Sequence, residues 1–419
     1  MATPEENTTL FNKLDTANLD MLSQFIVPLI LTLFFIQAFR AYVPGIYIAM
    51  FHVVFQDPGW IGSLLTLLTL ALFFVPLFTN KLCKKFSPKK VYLTSIAGVA
   101  LLRLLMAAHL PSLVETILAA LIVALYGIFA STFLKYLLRS NLKIDLQAKM
   151  SLFVLAFIAA FLVDSVFRTL GFSADISLIP LHLNPEAWFT LQYVWLAVQV
   201  PLSLLVLWFA VRGMSAIFPE TQATETDEMR NEPWVLNAGG LGMILFLLFN
   251  VFLYPSVLAE YTGCSYVITN PIMIVGITLA VLYLLFVKEN VIYRLTSTLI
   301  LNILLILCLG VVVFVGMLSF LVGIIIFVLF VNTSLLIVNM GTRRKKGNQL
   351  KQFSKLFCYG TLFLILMSFL HDFSTDHAFT VSAFQGAGPM ILFIAGIIAA
   401  FTTILANLQL NQYRKGGTD

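Results

Sequence analysis

The 419-residue chain is 60% hydrophobic and 11% charged, with a mean hydropathy of +0.96 and a formal net charge of +5. Soluble domains carry roughly 25% charged and about 45–50% apolar residues, so this composition excludes a water-soluble globule and makes lipid the solvent. A spanning helix takes about 20 apolar residues, which leaves room only for short connections and for no soluble domain of ordinary size.

In chain order the apolar stretches run 22–52, 60–79, 91–109, 112–134, 150–171 and 189–215, then 237–260, 265–287, 291–315, 318–340, 354–372 and 388–410. The pattern predicts an all-α integral membrane protein of about twelve transmembrane helices in two six-helix halves. Of the 25 Lys and Arg, 22 fall in alternate gaps or the two tails: Lys81 to Lys90, Lys135 to Lys149, Arg212 and Arg230, Lys288 and Arg294, Arg343 to Lys355, and Lys13, Arg414 and Lys415. The other gaps hold only acids such as Asp57, Asp175, Glu186, Asp372 and Asp376. By the positive-inside rule the basic gaps and both termini are cytoplasmic. The predicted organisation is a cytoplasmic tail over 1–21, a six-helix bundle over 22–215, a polar, acidic linker over 216–236, a second bundle over 237–410, and a cytoplasmic tail over 411–419. The acidic N-terminal segment (Glu5, Glu6, Asp15, Asp20) lacks a basic n-region, so no cleavable signal peptide is expected. On this topology no two of the four cysteines share an exterior loop, and no disulfide framework is expected.

Both halves open on a helix interrupted in its outer part, by Pro44-Gly45 in the first and Pro255 in the second. Proline removes an intrahelical hydrogen bond and kinks the helix. Breaks at matching places in two repeats point to a binding site, although proline is also common in membrane helices.

The six-plus-six pattern, the central linker and the basic segment after the second helix resemble the major facilitator superfamily. Its signature there runs Gly-x-Leu-Ala/Ser-Asp-Arg-x-Gly-Arg-Arg/Lys. The matching stretch is Asn80-Lys81-Leu82-Cys83-Lys84-Lys85-Phe86-Ser87-Pro88-Lys89-Lys90. The leucine, the small residue and the cations survive; Asn80 and Ser87 stand for the glycines and Lys84 for the aspartate. The resemblance implies alternating access and a cytoplasmic gating loop carrying Lys84, Lys85, Lys89 and Lys90. It would give the aspartate the locking of the two halves, which a cation at Lys84 cannot perform in the same way. A second, fainter similarity joins Phe34 to Arg40, Asp164 to Gly171 and Gly239 to Glu260 to membrane domains of GPI-anchor ceramide-remodelling factors. It implies a non-transporting module for lipid handling or lipid-anchor remodelling, working with a separate soluble enzyme partner.

Ionisable groups in the hydrocarbon core are functional candidates by default. Arg40, Arg103, Asp164 and Arg168 are the clearest. At about 1.5 Å per residue, Arg103 and Asp164 lie about 18–20 Å from the cytoplasmic side, and Arg40 and Arg168 about 25–27 Å. Asp164 and Arg168 are spaced i, i+4 and form either a self-neutralising pair or a coupling pair remade with Arg103 or Arg40. Arg40, one turn before Pro44, either lines a central cavity or snorkels to the interface. Surplus guanidinium suits an anionic or amphipathic solute, because the planar fork binds carboxylate or phosphate oxygens bidentately. The candidate substrate site is therefore Arg40, Tyr42, Arg103, Asn250 and Tyr254, with Asp164, Arg168 and Glu260 as coupling groups. Glu260 is otherwise a wetted residue at a helix end.

No Gly-x-x-x-x-Gly-Lys-Ser/Thr phosphate loop is present, which excludes an ATP-driven pump within these residues. The histidines fall at exterior ends and form no metal-site spacing. No catalytic group, metal, cofactor or nucleic-acid partner is expected. The expected partners are membrane lipids and a small-molecule substrate, and the expected location is the cell membrane.

Overall fold

The computed structural model describes residues 19–39, 59–106, 112–138 and 185–218, with separate positions between 140 and 164, 296 and 307, and 351 and 411. Arg40, Tyr42, Pro44, Gly45, Arg168, Asn250, Tyr254, Pro255 and Glu260 lie outside the described residues. Among those described there is no strand. The chain divides into two compact units, Met1–Thr226 with Gln349–Cys358 and Asp227–Asn348 with Tyr359–Asp419.

The first unit contains α1 (Leu19–Phe39), α2 (Gly59–Leu72), a 3-10 turn at Val75–Phe78, α3 (Thr79–Phe86), α4 (Pro88–Met106), α5 (Ser112–Leu138), α6 (Pro185–Arg212) and the single turn α7 (Met214–Ile217). The described positions from Lys149 to Asp164 are helical as well. Leu19–Phe39, Leu67–Phe86 and Val114–Leu137 are each long and apolar enough to cross a membrane. α1, α2, α4, α5 and α6 begin within a few residues of the apolar stretches read from the sequence.

The segment read as a cytoplasmic loop is instead helical almost throughout. Pro76 in the 3-10 turn ends the apolar run, and α3 carries Asn80 and the lysines onward as a helix. Ser87 alone interrupts it, with φ 68°, before Pro88 opens α4. Proline suits a first helical position because the amide it lacks would have had no intrahelical partner.

α1 and α5 form the interior. From Ile30 to Phe39 every residue of α1 is buried, and α5 is buried on nearly all sides from Ala119 to Leu137. A helix apolar all round must be enclosed by others. Lipid tails are as apolar as leucine, so burial against lipid gives no hydrophobic drive, and dispersion, small residues and hydrogen bonds hold the helices together. α5 supplies all three. Ala119, Ala120, Ala124 and Gly127 allow close approach, and a methyl group on Gly127 would come within 2.6 Å of Pro76 Cγ and also meet the Phe357 ring. Ser131 and Thr132 return their hydroxyls to the carbonyls of Gly127 and Ile128 at 2.7 and 2.6 Å, so neither hydroxyl is stranded in the core. Tyr126, Phe129, Phe133 and Tyr136 recur at i, i+3, i+7 and i+10 and build an aromatic column. Phe35 stacks on Tyr126 at 4.4 Å, Phe133 meets Phe153 at 5.8 Å, and Tyr136 meets Phe218 at 4.6 Å.

α4 packs chiefly on α5 and α6. α6 buries a narrow stripe (Gln199, Ser203, Val206, Ala210, Gly213) and exposes Val200, Leu204, Leu205, Trp208 and Val211, as a helix between protein and lipid should. Where α6 ends, Gln24 of α1 donates from Nε2 to the Gly213 carbonyl at 3.2 Å, and Ser23 fills the space that a side chain at 213 would need. Past the end of α5, Lys149 is buried and donates to the Ser140 carbonyl at 2.6 Å. Burial pulls its pKa below the ordinary lysine range, and the carbonyl partly offsets that loss of water.

In the second unit every described position between 296 and 307 and between 397 and 411 is helical. Ile300, Ile303, Leu304 and Leu307 stand exposed at helical spacing, as do Ile397, Ile404 and Leu408. Such stripes suit contact with lipid.

Candidate functional site

Arg103 is the most deeply buried cation described, with 1% of its surface exposed. α4 places it there by pattern. Val91, Ser95, Val99 and Arg103 recur every four residues on the buried face, with Tyr92, Ile96 and Ala100 beside them. Arg103 also lies in the last turn of α4, where the unsatisfied carbonyls favour a cation. Its Nη2 donates to Gln37 Oε1 of α1 at 2.9 Å. A hydrogen bond with one charged partner is worth about 1.5–3 kcal/mol, and a charge in the hydrocarbon region cannot be left without such neighbours.

The interior around α1 carries a second polar contact. Thr32 Oγ1 and Tyr126 Oη are 2.8 Å apart, and the face of the Tyr126 ring is covered by Phe35. Phe39 lies 5.7 Å from Phe35 on the same face of α1, about half a turn round the helix from Gln37. Asp164, 3% exposed, is buried in the same unit on the helix read as the fifth span. Arg103 and Asp164 are thus two buried ionisable residues of one unit, carried by different helices.

Of the residues singled out in the sequence, Arg103 and Asp164 are described and both are buried. Lys84, Lys85 and Lys90 are exposed and Lys89 is half-buried, while Cys83 between them turns inward onto Val91 and Ile128. The small position of the signature-like segment is thus a packing residue and the cations form its outer face. Sequence reasoning missed Gln37 as the partner of Arg103, and it missed the Thr32–Tyr126 pair. The available signal was an amide or hydroxyl standing alone in an apolar run. The same signal marks Gln199 and Ser203 on α6, both buried, whose side-chain amide and hydroxyl make no hydrogen bond among the described residues.

No family model matches the chain, and no curated protein matches it by sequence. Solved structures do. The chain is similar to a human organic anion transporter of the major facilitator superfamily, with a TM-score of 0.60, 12% identity and coverage of 93% of this chain and 99% of that one. It is similar to the E. coli fucose:proton symporter, with a TM-score of 0.53, 15% identity and coverage of 91% and 98%. A nucleoside transporter matches with a TM-score of 0.54, 14% identity and coverage of 93% and 99%. All three are membrane transporters rather than enzymes, and the match runs along nearly their whole length. The chain is a multi-pass helical membrane protein built on the major facilitator superfamily fold.

Proposed function

We propose that the protein is a secondary-active transporter that moves a small anionic or amphipathic solute by alternating access. The observation that carries this reading is the buried Arg103 guanidinium, held by Gln37 in the membrane interior on a transporter fold. In the proposed molecule the six-helix bundles 22–215 and 237–410 rock about a central site, with the 216–236 linker and both tails in the cytoplasm. Arg103 and Arg40 bind the solute's anionic group. Tyr42, Asn250 and Tyr254 complete the site from both bundles, and the breaks at Pro44, Gly45 and Pro255 let the first helix of each bundle bend around the solute. Asp164, Arg168 and Glu260 carry the coupling charge. Lys84, Lys85, Lys89 and Lys90 form the cytoplasmic edge that moves with the first bundle. The membrane is the cell membrane. The similar structures carry fucose, nucleosides or organic anions, so the preference for an anion rests on Arg103 and not on the fold.

The test is a thermal-shift screen of the detergent-purified protein against organic anions, sugars, nucleosides and phospholipids, followed by uptake into proteoliposomes. A ligand at about 100 times its dissociation constant stabilises by about 2.7 kcal/mol. Arg103→Gln should weaken binding of the stabilising anion by about ten- to a hundredfold, the loss of one or more charged hydrogen bonds, while Arg103→Lys should lose less. An anion that binds and is carried equally well by Arg103→Gln would overturn the site. A protein stabilised by lipids alone, with no uptake of any solute, would overturn the transport reading.

A further inference from the structure

α3 is amphipathic in a way that its packing does not require. At about 100° per residue, Lys81, Lys84 and Lys85 fall within an arc of about 100°, with Phe78 just beyond it. Thr79 and Cys83 are buried on the other side. The lysines have company that ordinary solvent-facing cations do not. Lys81 Nζ lies 5.5 Å from the centre of the Phe78 ring, and Lys85 Nζ lies 5.1 Å from that of Phe86. Both rings are half-exposed, at 51% and 50%.

Charge balance sharpens the point. No Asp or Glu occurs between Asp57 and Glu115, so Lys81, Lys84, Lys85, Lys89 and Lys90 have no neutralising side chain near them in the sequence. Lysines facing water would account for the charge, but not for two phenyl rings held open beneath the ammonium groups. A bilayer edge accounts for both. Phenyl rings of an interfacial helix bury at the boundary of headgroups and acyl chains, lysine stems run along apolar surface, and the ammonium groups reach the phosphates. α3 forms the lysine-bearing end of the span Leu67–Phe86, whose other end is apolar.

We propose that α3 binds the headgroup of an anionic phospholipid in the leaflet it faces. Lys81, Lys84 and Lys85 hold the phosphate, and Phe78 and Phe86 sit beside the glycerol ester region. Where the superfamily signature has an aspartate, Lys84 supplies the third cation of this surface. The proposal stands apart from any solute, because none of these residues belongs to the site around Arg103.

The test uses the full-length protein, delipidated in detergent and titrated with phosphatidylglycerol, with phosphatidylcholine of the same acyl chains, and with soluble glycerol 3-phosphate. Bound lipid is counted by native mass spectrometry and the melting temperature followed in parallel. Phosphatidylglycerol should be retained and raise the melting temperature; the other two should not. A Lys81→Gln, Lys84→Gln, Lys85→Gln triple variant should lose at least tenfold in phosphatidylglycerol affinity, and the corresponding triple Arg variant should keep it. If the triple Gln variant fails to fold, Lys84→Gln alone should cost about fivefold, the share of one juxtamembrane cation. Equal binding of phosphatidylcholine, undiminished phosphatidylglycerol binding by the Gln variants, or equal stabilisation by glycerol 3-phosphate would each overturn the proposal.

Discussion

Ser87 gives the most direct test of how the α3–α4 junction is built. Its φ of 68° and ψ of 144° place it in a region that only glycine enters freely, at a strain of about 1–3 kcal/mol for a residue with a side chain. The superfamily signature resembled by this segment has glycine at the same place. Ser87→Gly relieves that strain and returns about 0.5–1 kcal/mol of it through the greater freedom of glycine in the unfolded chain. Loss of serine before α4 subtracts a few tenths more, the usual difference between the two at a helix start. The net expectation is a gain of about 1 kcal/mol. Ser87→Val moves the other way, because a β-branched side chain suffers most at positive φ. The assay is the thermal midpoint in detergent, read by monomer recovery on size exclusion, for Gly, Ser, Ala and Val at this position. The expected order is Gly above Ser, Ser above Ala, and Val lowest. A flat series, or Gly below Ala, would refute the strained junction and with it the sharp break between α3 and α4.

Four further outcomes follow from the packing. Gln37→Leu removes the acceptor of a charged hydrogen bond and should destabilise by about 1.5–3 kcal/mol, measured by the same thermal midpoint. Tyr126→Phe strands the Thr32 hydroxyl and should cost about 1–3 kcal/mol, whereas a Thr32→Val, Tyr126→Phe double variant should recover most of that. Gly127→Ala drives a methyl group into Pro76 and the Phe357 ring, an overpacking that should cost about 1–3 kcal/mol. Gln199→Leu removes a buried amide that has no hydrogen bond among the described residues and should stabilise by about 1 kcal/mol or more; a loss of stability would show that the amide has a partner beyond them.

The parts of this fold that depend on solvent could be read from sequence, and the parts that depend on partners could not. Runs of apolar residues long enough for a bilayer located α1, α4, α5 and α6 because lipid imposes length and composition directly. A charge inside such a run marked Arg103 and Asp164 as buried for the same reason. The amphipathic α3 was read as a loop because its lysines and asparagine outweigh its few apolar residues; Cys83, Leu82 and the packing of α5 make it a helix. Gln37 escaped notice because an amide in an apolar run says only that some partner exists, and the partner is 66 residues away. Gln199 and Ser203, one turn apart, showed the helical spacing of a buried polar face, but the residues opposite them belong to other helices.

The enclosure of α1 also sets an order of events in time. Its polar groups Thr32 and Gln37 are matched by Tyr126 and Arg103, which follow 94 and 66 residues later in the chain. At about 5–20 residues per second of synthesis, these partners emerge roughly 3 to 19 s after α1 does. α1 must therefore enter the membrane with an amide and a hydroxyl still unmatched, and wait beside the insertion machinery until α4 and α5 close around it.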